Sequence, residues 1–145
     1  MLKSMKKIRP IGLLLAISLI SICLSNCSKA KEDLKKSVAL QVMTSGRWIV
    51  QEFSESSTDK TSLFTPYEFQ FFDNGSVNAY FNGQTNNGSW VGDANAGTIA
   101  ANFPTGNDTL ILLNDTWKID NSTLTSVDAT PSNSGRTAVL KLLKK

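Results

Sequence analysis

The sequence has no histidine and only two cysteines, Cys23 and Cys27. The absent histidine removes the commonest metal ligand and the usual proton shuttle at neutral pH. With both cysteines near the N-terminus, zinc clusters, disulfide scaffolds and Cys–His or Ser–His–Asp catalysis are excluded. No acid precedes Glu32, and no aromatic residue precedes Trp48 or follows Trp117. No apolar run reaches the ~18–20 residues that span a bilayer core. A length of 145 residues suits one ordinary domain rather than two. The formal charge is +3, but Lys3, Lys6, Lys7 and Arg9 supply that surplus. Beyond residue 26 the chain carries 11 basic and 12 acidic residues, a net −1. No basic face survives for a nucleic acid, so no nucleic-acid partner is expected.

The first ten residues are basic, and Ile11–Leu24 is a 14-residue apolar run. Together they have the charge pattern of a secretory signal. Leu24-Ser25-Asn26-Cys27 follows. It resembles a bacterial lipobox, in which an aliphatic and two small residues precede the cysteine that is acylated before cleavage. Asn26 stands where Gly, Ala or Ser is usual. Cys23 fits less well, because large Ile22 precedes it. The expectation is a signal peptide over 1–26 and a lipid anchor on Cys27. The other reading is a plain cleaved signal with an incidental cysteine. An anchor of this kind implies the bacterial cell envelope, facing the periplasm or the outside at the outer membrane. Each buried methylene of an acyl chain adds ~0.8 kcal/mol to attachment, and stable anchoring needs more than one chain. Residues 27–45 then form a tether and a short helix. Glu32-Asp33 reads as an interrupted acidic sorting signal or as a solvated charged tether.

In 31–44, Leu34, Val38 and Val42 recur at helical spacing, with Leu40 and Met43 flanking. Ser45-Gly46 marks the helix end. The expected helix packs Leu34, Val38 and Val42 on one end of a domain covering 46–145. From Gly46 the period becomes two. Arg47–Phe53, Pro66–Asp73, Ser76–Asn82, Ser89–Gly92, Thr98–Phe103, Thr116–Asp120, Thr123–Val127 and Arg136–Leu143 read as strands. Asn74-Gly75 is the strongest hairpin signal. Ser54–Thr65, Pro104–Asp108 and Thr130–Gly135 read as loops, with turns at Gly83–Gly88, Asp93–Gly97 and Asn121-Ser122. Leu110–Leu113 fits a strand or a helical turn. About eight short strands at this spacing predict an all-β antiparallel sandwich or barrel. Twelve aromatic residues are expected to fill a single interior.

Gly46-Arg47-Trp48 after a short helix resembles the Gly-x-Trp of lipocalins. The following order resembles small bacterial lipocalin-like lipoproteins, mostly of unknown function. It runs through Thr61–Phe64, Tyr67-Glu68-Phe69-Gln70-Phe71, Asn74-Gly75, Gly88-Ser89-Trp90 and Phe103-Pro104. It continues through Leu113-Asn114-Asp115-Thr116-Trp117-Lys118-Ile119 and the last strand, Leu140–Lys144. The second and third lipocalin motifs are absent, so the resemblance is to an outlier of that group. It implies a lipocalin-like up-and-down β-barrel of about eight strands after the short N-terminal helix. It also implies a basic residue of the last strand, Arg136 or Lys141, packed on Trp48.

A barrel of eight strands is either filled by side chains or holds one small ligand. Trp48, Phe69, Phe71, Phe81, Trp90, Phe103, Trp117 and Leu140 are the candidate lining of a site for a small apolar ligand. The alternative is that they form the core. Glu52 alternates with Trp48 and Val50, which makes it either outward-facing or a buried carboxylate at a barrel mouth. The acids Asp59, Glu68, Asp73, Asp93, Asp115 and Asp120 are scattered over turns and polar strand faces. No catalytic residue, metal site or cofactor is expected, and the chain is read as non-enzymatic. Asp73-Asn74-Gly75 and Asp93-Ala94-Asn95 have calcium-like spacing but fall short of an oxygen cage. Asp108-Thr109-Leu110 resembles a three-residue O-glycosylation acceptor. Beside ligand binding stands a filled barrel that engages an envelope protein through Ser54–Thr65 and Gly83–Gly88. A third possibility, catalysis by facing carboxylates, requires two acids in one cleft.

Overall fold

The computed structural model describes residues 36–104, 107–132 and 135–145. The signal segment, Cys27 and Leu34 lie outside these residues. The chain divides into a unit Met1–Leu34 and a unit Lys35–Lys145, and the described fold belongs to the second. It comprises one helix, α1 (36–44), and nine strands. These are β1 (Trp48–Glu55), β2 (Thr58–Asp59), β3 (Glu68–Phe71), β4 (Ser76–Phe81) and β5 (Gln84–Asp93). They continue as β6 (Thr98–Asn102), β7 (Asp115–Ser122), β8 (Ser126–Pro131) and β9 (Ala138–Lys144). Apart from β2, a short flap on β1, each strand pairs antiparallel with the next, and β1 pairs back on β9. The result is a closed all-β barrel of eight strands, one of the two architectures the strand spacing allows and the one the resemblance implies.

Local chemistry explains the punctuation. Gly46, at φ +86°, ends α1 in the left-handed region. Gly75, at φ +82°, turns β3 into β4, while Asn74 Oδ1 accepts from the Ser76 backbone N–H at 3.0 Å. That turn sets Phe71 opposite Val77 and Phe69 opposite Ala79, so both strands send their apolar residues inward. A bulge between Val50 and Glu52 resets β1. Before it Trp48 and Val50 face the core, and after it Phe53 does. Glu52 is thereby turned outward, where it pairs with Lys141 at 2.6 Å.

Several expected boundaries are corrected. Gly83–Gly88 is not a turn: Asn82-Gly83 alone makes it, and Gln84–Gly88 opens β5. The β7–β8 hairpin turns at Thr123–Thr125 rather than at Asn121-Ser122, which still belongs to β7. Ser54–Thr65 is not a free loop. It holds the end of β1, β2 and a 3₁₀ turn, Thr61–Leu63. Its Thr61 hydroxyl accepts from the Phe53 N–H at 2.9 Å, and the Lys60 N–H reaches the Phe53 carbonyl at 2.8 Å. This matters because β1 and β3 share a single residue pair, Trp48 with Phe69. Leu110–Leu113 is a 3₁₀ turn. The face expected of the helix also shifts. Met43 is buried and Val42 half-buried against the core, while Val38 is exposed. Every buried hydrophobic residue among those described lies between Met43 and Leu142.

Gly88 is fixed by close approach. A Cβ there would stand 2.7 Å from the Phe103 ring and 2.8 Å from the Asn102 carbonyl oxygen. Backbone cannot yield as a flexible side-chain tip can, so Gly88→Ala must displace strand β6 or the ring. The expected loss is about 1–3 kcal/mol, read as a lower urea midpoint with unchanged slope.

Candidate functional site

The candidate lining residues do converge. Trp48, Phe69, Phe71, Trp90, Phe103, Trp117 and Leu140 are all buried in one core, and Phe81 is half-buried at its margin. Inside this core is an apolar cavity of about 40 Å³. Phe69, Phe71, Phe103, Trp117 and Leu140 line it, whereas Trp48, Phe81 and Trp90 do not. Val77, Ile99, Val127 and Leu142 complete much of the wall. Their inward positions follow from the same strand alternation. Phe53 and Phe64 stand outside the candidate lining, yet both are fully buried with centroids 4.9 Å apart. The bulge in β1 hid the first, and its place beside a 3₁₀ turn hid the second. The interior does not collect every aromatic residue. Tyr80 is on the outer surface, with the Arg47 guanidinium 4.3 Å from its ring centroid.

The three tryptophans close the barrel by donating to its connections. Trp48 Nε1 donates to the Met43 carbonyl at 2.9 Å, at the end of α1. Trp90 Nε1 donates to the Phe72 carbonyl at 2.8 Å, at the β3–β4 turn. Trp117 Nε1 donates to the Leu113 carbonyl at 2.9 Å, at the second 3₁₀ turn. Each large ring is therefore buried without an orphan N–H.

Basic side chains cover two of these rings, though not in the expected pairing. Lys144, rather than Arg136 or Lys141, covers Trp48, with its ammonium 5.1 Å from the ring centroid. It also donates to the Val42 carbonyl at 3.0 Å and to Ser45 Oγ at 2.9 Å, tying α1 to β9. The outward register of Lys141 opposite Glu52 explains its absence from this contact. Arg136 instead covers Trp117 at the other end, 5.6 Å from the centroid. There it donates to Glu55 Oε1 through Nε at 3.0 Å and Nη2 at 2.8 Å, to Asp115 Oδ2 at 3.1 Å and to the Leu112 carbonyl at 3.1 Å. Lys60 reaches the other Glu55 oxygen at 2.6 Å. Hydrogen bonds from Lys60 and then Arg136 hold the Glu55 carboxyl below the usual glutamate range. This cluster gathers β1, β7, both 3₁₀ turns and the approach to β9 into one closure.

The candidate carboxylates have separate local tasks. Asp59 accepts from the Thr61 N–H at 2.8 Å, and Asp93 from the Asn95 and Ala96 N–H groups at 2.9 and 3.0 Å. Glu68 binds Arg47 at 2.8 Å and also Lys145. Asp120 accepts from the Thr130 hydroxyl at 2.9 Å. The turns Asp73–Gly75 and Asp93–Asn95 thus direct side-chain oxygens at their own backbone. Among the described residues no charged or polar residue is buried, and nothing polar points into the cavity.

Removing Arg136 leaves Glu55 and Asp115 facing each other's ends of the cluster without their shared cation. Arg136→Ala is expected to cost about 2 kcal/mol, between the values for exposed and buried pairs. The pH sign follows from the lowered Glu55 pKa. The stability it contributes is complete above the ordinary glutamate range and is lost as pH falls through the folded value. Urea midpoints measured from neutral to acid pH should therefore fall less steeply in Arg136→Ala than in the parent chain.

No family model and no curated protein matches the chain. Among solved structures it is similar to a DUF4847 family protein from Bacteroides vulgatus ATCC 8482. The two are 14% identical, with a TM-score of 0.55 over 74% of this chain and 97% of that one. It is also similar to an uncharacterized protein from Bacteroides eggerthii DSM 20697, at 12% identity and a TM-score of 0.48, over 69% of this chain and 98% of that one. At 14% identity the first likeness is one of fold: this chain shares its barrel architecture with a DUF4847 family protein.

Proposed function

We propose that the chain is a lipid-anchored, lipocalin-like protein of the bacterial cell envelope, non-enzymatic, whose barrel is a scaffold for binding a protein partner. The observation that carries the binding half is the filled interior. An engineered apolar cavity of about 150 Å³ holds benzene, and the cavity here is about 40 Å³. Aromatic rings and side-chain hydrogen bonds to the connections occupy the remaining volume. A bound partner then meets the outside. At the end opposite α1, the two 3₁₀ turns expose Leu63 by 46% and Ile111 by 37%. These are the apolar contacts that such a partner would cover. The anchoring half is supported by the basic N-terminal stretch, the 14-residue apolar run and Leu24-Ser25-Asn26-Cys27.

A small apolar ligand is the second reading. The wholly apolar wall of the cavity favours it, because a dry apolar space takes up apolar molecules rather than water.

Native mass spectrometry of the mature protein from the original host's envelope separates the two. No mass beyond the acylated polypeptide is expected, and Leu63→Glu with Ile111→Glu should abolish cross-linking to a partner while leaving the thermal midpoint unchanged. Extra mass of a few ligand atoms' worth, lost on denaturation, would instead establish the ligand carrier. Anchoring is tested on Cys27: acyl mass is expected there, and Cys27→Ser should move the protein from the membrane to the soluble fraction. Retention on the membrane without acyl mass refutes that half.

A further inference from the structure

The sequence holds three Asn-Gly pairs, Asn74-Gly75, Asn82-Gly83 and Asn87-Gly88. Each such pair contains an electrophile and a nucleophile. The backbone nitrogen of the glycine can attack the side-chain carbonyl of the asparagine, because glycine has no Cβ to hinder the approach. The fold treats the three pairs differently. At Asn74-Gly75 both groups are engaged. Asn74 Oδ1 accepts from the Ser76 N–H at 3.0 Å and from the Ser76 hydroxyl at 2.7 Å, and the Gly75 N–H donates to the Phe72 carbonyl at 3.1 Å. Asn87-Gly88 lies inside the β4–β5 ladder, opposite Asn78 and Val77, with the Phe103 ring against Gly88. Asn82-Gly83 is the exposed two-residue turn that joins β4 to β5, with Asn82 at φ +49° and Gly83 at φ +75°. The Asn82 side-chain amide and the Gly83 N–H bond to no other described residue. Nothing beyond the chain neighbours stands within 4 Å of the position a Gly83 Cβ would take.

We infer that Asn82 is a site of spontaneous deamidation and the first of the three pairs to convert. The Gly83 nitrogen gives its proton to hydroxide and bonds to Asn82 Cγ. The Cγ–Nδ2 bond breaks, ammonia leaves, and a succinimide ring closes. Water then opens the ring. Cleavage between Cγ and the Gly83 nitrogen leaves aspartate in an ordinary main chain. Cleavage between the Asn82 main-chain carbonyl carbon and that nitrogen leaves isoaspartate, with the main chain running through Cγ. In both products one water has replaced one ammonia. Ring closure needs rotation about the Asn82 Cα–C bond. At this hairpin tip the rotation disturbs the adjoining Phe81–Gln84 pair, and exposed tips open most readily. At the other two pairs it must break the bonds of a closed turn or the interior of a ladder.

The position gives the change an effect. Residues 74–92 carry no charge, so the new carboxylate is the first in this hairpin. β3 and β4 run antiparallel, which puts the Asn82-Gly83 turn at the end opposite α1, the end of Leu63 and Ile111. Isoaspartate also adds one main-chain carbon to a turn whose length sets the β4–β5 register.

The test holds the purified full chain at mildly alkaline pH, folded in one sample and unfolded in urea in another. Peptide mapping that separates asparagine, aspartate and isoaspartate follows each pair over time. In the folded chain Asn82 is expected to convert faster than Asn74 and Asn87 on the order of tenfold, the rate equivalent of one hydrogen bond. In urea the three rates should converge, since the three pairs are then alike. The Asn82 rate should rise with pH, as loss of the Gly83 proton requires. Conversion of Asn74 or Asn87 as fast as Asn82 in the folded chain overturns the inference. So does a folded Asn82 that stays intact while the urea sample converts.

Discussion

The indole N–H sets the terms for this fold. A tryptophan ring is large enough to fill a small barrel, but its nitrogen must keep a hydrogen-bond partner once water is gone. Here Trp48, Trp90 and Trp117 find that partner in carbonyls that no strand ladder uses. Those carbonyls belong to the end of α1, the β3–β4 turn and the second 3₁₀ turn. Burying the rings thus forces three connections down onto the barrel. Of the three rings only Trp117 also forms part of the cavity wall. Loss of the Trp48 or Trp117 ring would leave a void and a carbonyl without its indole donor, whereas the Phe72 carbonyl would still accept from the Gly75 N–H.

Charge is kept to the rims. With no buried charged residue among those described, the interior gains its stability from apolar area and ring contacts. The ion pairs work at the ends and on the outer face, where they order segments rather than fill space. Arg136 shows the arrangement most fully, since its guanidinium donates to Glu55 and lies 5.6 Å from the Trp117 ring centroid. Lys144 does the corresponding task at the other end with a point charge and two oxygen acceptors.

The strands were legible because one wet face and one dry face impose a period of two, as in Tyr67, Phe69 and Phe71 against Glu68 and Gln70. Asn74-Gly75 and Gly46 were legible because left-handed backbone leaves few alternatives. Three kinds of feature were not. The bulge after Val50 inserts one residue, and no local preference distinguishes Gln51 from its neighbours. Gln84–Gly88 is rich in Gly and Asn yet opens β5, and what fixes Gly88 is the ring of Phe103, a contact remote in sequence. The helix periodicity identified an apolar side but not that only its last turn meets the barrel. For the candidate site, the set of interior side chains was largely readable. The remaining free volume was not, since it depends on how rings from different strands interdigitate. The choice of Lys144 over Arg136 on Trp48 depends likewise on where β9 ends relative to β1.

The pairing of β1 carries a consequence for the order of folding. Its long partner is β9, from Trp48 with Lys144 to Glu55 with Ala138, whereas β3 offers it one residue pair. The first strand to leave the ribosome must therefore wait for the last. The meander β3–β9 can form from sequential hairpins, but ring closure is a contact across nearly the whole domain and is slow by comparison. Until then Trp48 and Phe53 have no cage. A chain built this way keeps its first long strand without its main partner for as long as its C-terminus is withheld.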